Sequence, residues 1–183
     1  MPSLGAARVC WIAGRPAAGK TTLARRTCEA LLARGRRCVV LDSDEARRAI
    51  TPAPRYTESE RLIFYRALAF AAGAVAASGS AAVVAATAGT TALVEAVRQA
   101  CPGVFFVYAR CPPRVAEARD PKGLYAAARK DPGSRLPGAG VPYEAPPAPH
   151  FVVDTGSKVS DEVVDELVRA FLGERRDAPQ GSR

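Results

Sequence analysis

The stretch VCWIAGRPAAGKTTLARRTCEALL, Val9 to Leu32, decides the fold. Its start, Arg8–Ala13, reads as a buried strand, and Lys20–Ala33 reads as a helix with apolar Leu23, Leu31 and Leu32, closed by Gly35. Between them, GRPAAGKT fits G-x-x-x-x-G-K-[ST] in the strand-to-helix setting that the motif requires. Glycines let the backbone wrap close to an anion, and successive N–H groups then point inward as a nest. The helix N-terminus adds partial positive charge. A purely structural loop has no use for a lysine at its closed end. Gly14, Gly19, Lys20 and Thr21 are therefore expected around the phosphates of a nucleoside triphosphate. Lys20 would reach the β- and γ-phosphates, and the Thr21 hydroxyl would ligate Mg²⁺.

Downstream, strands and helices alternate. Strands are expected at Arg37–Leu41, Ala81–Ala86, Val104–Ala109 and Phe151–Val153. Helices are expected at Ser43–Ile50, from Thr57 to about Ala77, at Thr90–Ala100, from Pro113, and from about Asp161 to Leu172. Thr57 followed by Glu60 is a capping box. This alternation predicts an α/β fold with a five-stranded parallel sheet covered on both faces. Residues 1–173 read as one domain and 174–183 as a frayed tail. From 119 to 149 Gly and Pro crowd in and periodicity fades, the pattern of a lid.

The 183 residues are 48% hydrophobic, enough for one sizeable core. Net charge is +8, almost all of it arginine, since lysine occurs only at 20, 122, 130 and 158. Arginine pairs are scattered and none is interleaved with aromatics, which argues against nucleic-acid binding. Five cysteines without a C-x-x-C pair and a single histidine argue against zinc, and free thiols suit a reducing cytoplasm. The Ala/Val run Ala67–Ala88 is broken by Gly73 and Ser78-Gly79-Ser80, so it reads as a helix followed by a strand and not as a membrane span.

A triphosphate cradle serves GTPases, motors and small-molecule kinases alike. The chain has no N-K-x-D motif for reading guanine and little length for motor machinery. LDSDEARR, after the second strand, supplies what a kinase needs, a carboxylate where parallel sheets put their ligands. Asp44 would orient or deprotonate an acceptor hydroxyl, or else simply cap the next helix. Asp42 would sit nearer the metal or brace the loop. Arg47, one turn along, would meet an anionic acceptor or lie solvated at the surface.

WIAGRPAAGKTTLA, LDSDEARR, RDPKGLYAAAR, PYEAP and VVDT occur here in the order found in adenylyl-sulfate (APS) kinases, and the chain resembles that family from about Cys10 to Thr155. The resemblance implies a P-loop kinase fold, Mg-ATP, and transfer of the γ-phosphoryl group to the 3′-hydroxyl of adenylyl sulfate to give PAPS, with Gly14, Ala17, Ala18, Gly19, Lys20, Thr21 and Thr22 around the ATP phosphates. It places Asp44, Arg47, Arg61 and Arg66 toward the acceptor, and Tyr56 where a phenylalanine stacks on the acceptor's adenine. It assigns Arg119 and Lys122 to the closing lid, with Lys122 joining Lys20 and Asp44 in catalysis, and Thr155 to the loop near the ATP adenine. It also allows a homodimer.

The departures gather on the acceptor side. Phe64 replaces an asparagine of the family's DRxENxRR helix. The family's ISPYR becomes ATAGT, Ala86–Thr90, where Thr87 keeps only a hydroxyl. FTGID becomes LPGAG, Leu136–Gly140, so Leu136 replaces a second stacking aromatic and an acid is lost. Two readings follow. The pocket is rebuilt for the same anionic acceptor, or phosphoryl transfer is kept and the acceptor is another hydroxyl-bearing metabolite. A nucleotide-binding module that transfers nothing is the rival from a different class.

Overall fold

The computed structural model describes residues 9–174. The expected tail falls almost entirely outside them. Among the described residues five strands and seven helices follow one another: β1 Val9–Ala13, α1 Lys20–Ala33, β2 Cys38–Asp42, α2 Ser43–Ile50, α3 Glu58–Ala77, β3 Ala81–Ala86, α4 Thr91–Ala100, β4 Phe105–Arg110, α5 Pro113–Arg119, α6 Leu124–Lys130, β5 Phe151–Asp154 and α7 Asp161–Leu172. The strands pair in the order β2-β3-β1-β4-β5, all parallel. The chain thus starts in the middle of the sheet and its later strands go to either side. The C-terminal ends of the central strands border the crevice where such sheets bind ligands.

β1 is buried along its whole length, and successive side chains serve opposite faces. Trp11 packs with Phe64, Leu68, Val84, Val94 and Phe106 under α3 and α4. Ile12 packs with Leu23, Leu31, Val83, Leu167 and Phe171 under α1 and α7. Trp11 is fully buried, tilted against Tyr65 and Phe106. A third, small cluster of Ala18, Cys111, Ala116 and Tyr125 seats the segment after β4 against the loop that follows β1.

The run Ala67–Ala88 is the end of α3 followed by β3, as expected. Among the described residues no helix is long and apolar enough to cross a membrane. The α3 capping box forms by half. Thr57 Oγ1 accepts from the Glu60 amide at 3.2 Å, while Glu60 Oε2 accepts from the Arg55 amide at 2.7 Å and not from the cap residue. The 119–149 segment holds a helix that periodicity did not reveal. Asp120 accepts from the amides of Tyr125 and Ala126 and so starts α6 after the left-handed Gly123.

Candidate active site

The loop between β1 and α1 is shaped by close approach at both ends. A Cβ on Gly14 would stand 2.7 Å from the Ala109 carbonyl oxygen, so only glycine lets the loop leave β1 beside β4. At the other end Gly19 caps α1 with φ of 80°, a left-handed conformation. Ala17 also has positive φ, at 59°. A left-handed residue leading into the first helical turn is the backbone form that an anion nest requires.

Lys20 folds over the loop, donating from Nζ to the Arg15 carbonyl at 2.8 Å. Burial lowers its pKa to about 8, against the pull of the Asp44 and Asp42 carboxylates. Thr21 Oγ1 donates to Asp42 Oδ2 at 2.6 Å. The other oxygen of Asp42 accepts from the Asp44 amide at 2.8 Å and so caps α2. Burial alone would raise the Asp42 pKa. The Thr21 hydroxyl, the Asp44 amide and the Lys122 ammonium outweigh it and the carboxyl ends below its ordinary value. The capping task thus falls to Asp42, leaving the Asp44 carboxylate exposed at the mouth of the crevice.

Lys122, from the turn between α5 and α6, donates to Asp44 Oδ2 at 2.5 Å. Arg119 is spent on the backbone, donating to the carbonyls of Thr155 at 2.7 Å and Gly156 at 3.0 Å. Thr155 is buried, its hydroxyl donating to the Arg110 carbonyl. Arg119 therefore ties the lid to the loop after β5.

One continuous cavity of about 1670 Å³ runs from Ser157 and Lys158, past Lys20 and Asp44, to Tyr56, Arg61 and Leu136. Single small-molecule pockets span roughly 300–1,000 Å³, so this one has room for two ligands end to end. The first half of the cavity is lined by the loop and α1. The second half is lined by α2, the start of α3 and the lid.

The adenylylsulphate kinase family matches residues 6–154. The chain belongs to that family. A probable adenylyl-sulfate kinase of Archaeoglobus fulgidus is 37% identical over 147 residues, 80% of this chain and 95% of its own length. The probable bifunctional SAT/APS kinase 2 of Sorangium cellulosum is 33% identical over 160 residues, 87% of this chain, and the match spans 28% of that longer protein. A solved APS kinase of Mycobacterium tuberculosis, in complex with AMPPNP and APS, superposes with a TM-score of 0.83 at 27% identity, covering 90% of this chain and 97% of that one.

Of the residues singled out in the sequence, Ala17, Gly19, Lys20, Thr21, Thr22, Asp44, Arg47, Tyr56, Arg61, Thr87, Arg119, Lys122, Leu136 and Thr155 all line this cavity. Gly14 and Ala18 do not. Both are buried in the support of the loop. Arg66 does not line it either. It is exposed on α3, five residues past Arg61, which turns it away from the face that Arg61 and Tyr65 present.

Tyr56 is not a bare aromatic platform. The guanidinium carbons of Arg47 and Arg61 lie 5.2 Å and 5.4 Å from its ring centroid. Arg47 is no surface arginine. Its side chain is 12% exposed, 3.6 Å from Glu60 and 3.8 Å over the Phe64 ring.

Arg135, in the lid, was not picked out from the sequence. Its carbonyl accepts from Arg61 at 2.7 Å. A backbone acceptor inside a Gly/Pro-rich stretch leaves no sequence signal. Arg15 was passed over too. Its guanidinium lies 5.1 Å from the Tyr143 ring centroid and so joins the phosphate loop to the PYEAP segment.

Proposed function

We propose that this chain transfers the γ-phosphoryl group of ATP to the 3′-hydroxyl of adenylyl sulfate, giving PAPS and ADP. The observation that carries the reading is the Lys122–Asp44 ion pair, which draws the lid onto the carboxylate next to the phosphate loop, between the two halves of the cavity. ATP takes the half lined by Gly19, Lys20, Thr21, Thr22, Lys158 and Thr155. The acceptor takes the half lined by Arg47, Tyr56, Arg61, Thr87 and Leu136.

The chemistry follows from this placement. The bond between the γ-phosphorus and its bridging oxygen breaks as a bond forms from the acceptor's 3′-oxygen, and ADP leaves. Asp44 accepts the hydroxyl proton and aims the oxygen. Lys20 and Lys122 offset the charge on the phosphoryl oxygens. The lid excludes water, which would otherwise take the phosphoryl group.

Mg²⁺ fits the donor set at the foot of α1. Thr21 offers a hydroxyl oxygen, held by the Asp42 carboxylate at 2.6 Å, and leaves the remaining positions to phosphate and water, as this ion prefers. When bound, the ion neutralises phosphate charge. Thr21 would ligate it directly and Asp42 would hold Thr21.

A coupled assay for ADP tests the reading. ADP release with Mg-ATP should require adenylyl sulfate, and the product should carry the new phosphate at the 3′ position. ATP binding without turnover on adenylyl sulfate would sink it. The result would then favour another hydroxyl-bearing anion or a module that only binds nucleotide.

A further inference from the structure

The acceptor half of the cavity holds an arrangement that no motif describes. Phe64, Arg47, Tyr56 and Arg61 form an alternating ladder of ring and guanidinium. Arg47 lies 3.8 Å from the Phe64 centroid and 5.2 Å from that of Tyr56, and Arg61 lies 5.4 Å from that of Tyr56. Such contacts hold a planar cation without consuming its in-plane donors. Glu60 holds Arg47 from the side, and the carbonyls of Tyr56 and Arg135 hold Arg61. Two guanidiniums are thus fixed at the cavity wall. Phe64 is 1% exposed and does not line the cavity, but its ring meets Arg47 and Tyr65, which do.

The same end is poor in groups that distinguish one base from another. The chain contains no asparagine, and its two glutamines are Gln99 and Gln180, the latter outside the described residues. Gln99 does not line the cavity, so among the described residues no side-chain amide faces the acceptor. Side-chain amides pair with base edges through a donor and an acceptor together. In their place stand the apolar side chains of Pro52, Pro54, Leu136 and Pro137 and the hydroxyls of Thr51 and Ser134, which serve one base edge as well as another. Tyr56, the one exposed ring here, already shares its π-system with two arginines.

We propose that the acceptor end reads the anion and not the base: the ladder fixes Arg47 and Arg61 on the acceptor's phosphosulfate, Phe64 and Tyr56 act as positioning residues, and nucleoside phosphosulfates with other bases are accepted too. The proposal rests on the reading of the acceptor as a nucleoside phosphosulfate.

Initial rates with adenylyl, guanylyl, cytidylyl and uridylyl sulfate, and with adenosine, test it on the full chain. The three other phosphosulfates should run within about tenfold of adenylyl sulfate in kcat/KM, and adenosine should lose more than a hundredfold. Phe64→Leu should raise the acceptor KM about tenfold, the scale of one cation–π contact withdrawn from water. Its KM for ATP should stay within twofold, and Phe64→Tyr should restore the acceptor KM. Because Phe64 is a core residue, Tyr56→Leu provides the same test at an exposed position, with Tm recorded for every variant. Losses above a hundredfold for every other base overturn the proposal while leaving adenylyl sulfate as the acceptor. An acceptor KM unmoved in both Phe64→Leu and Tyr56→Leu overturns it as well. Wild-type protein inert toward all four phosphosulfates removes the acceptor reading and the proposal together.

Discussion

The two halves of the cavity were assembled under different rules. On the donor side each group has one contiguous reason to be where it is. Gly14 clears β4, Gly19 turns left-handed, Lys20 folds onto the loop, and Thr21 meets Asp42. On the acceptor side the groups come from α2, the turn before α3, α3 itself and the lid, and they meet through side chains distant in sequence. A backbone nest tolerates little change because its ligands are amides in fixed order. A wall of side chains can change one residue at a time, and Phe64, Thr87 and Leu136 are where the sequence reading set its departures from the family pattern.

That contrast breaks most visibly at its boundary. Asp44→Asn keeps the size of the side chain and removes the proton acceptor, so kcat should fall on the order of 10³-fold. ATP affinity by calorimetry should change only a few-fold, and equal loss of both would place Asp44 in the donor half. Lys20→Met should lower kcat/KM for ATP by about 10²–10³, the usual cost of one charge-stabilising donor. The acceptor's own affinity, measured without ATP, should be unmoved.

Gly14→Ala tests how rigid the donor half is. Its Cβ would meet a backbone oxygen at 2.7 Å, so overpacking should cost about 1–3 kcal/mol. Tm should drop by about 2–4 °C per kcal/mol in a chain of this size. An unchanged Tm would mean that the β1–β4 contact yields freely.

The depressed pKa of Lys20 sharpens the comparison through pH. The ammonium is intact below about 8 and lost as pH rises through that value. ATP affinity should therefore be flat below pH 8 and weaken above it, by up to about tenfold per pH unit, since bound phosphate favours the charged form. Acceptor affinity, carried by arginines, should show no such step.

The smallest expected effect is Arg15→Leu, which removes the guanidinium over Tyr143 and leaves the loop backbone in place. KM values should rise about threefold, the order of one exposed cation–π contact.

The donor half was legible in the sequence because its determinants are local. Strand, loop and helix lie within 24 consecutive residues, from Val9 to Leu32, and the motif states the backbone geometry outright. Sheet and helices followed from periodicity, with β2 and β4 displaced by a residue from expectation. α6 was not legible, since its seven residues are too few to show a period and its start depends on Asp120 capping across a Gly turn. Nor was the ladder. Arg47 and Phe64 are 17 positions apart on different helices, and nothing in local spacing announces a guanidinium lying on a ring. The resemblance marked Phe64 as a departure, but only the fold shows that its partner is Arg47. Arg66 matched a family motif by position, yet helix geometry turns it outward.

Trp11, on the central strand, is the chain's one tryptophan. Its indole is fully buried among the side chains under α3 and α4, beside the cavity-lining Tyr65. Intrinsic fluorescence should therefore be blue-shifted and immune to iodide quenching while the sheet persists. A red shift on denaturation would time the opening of the sheet itself.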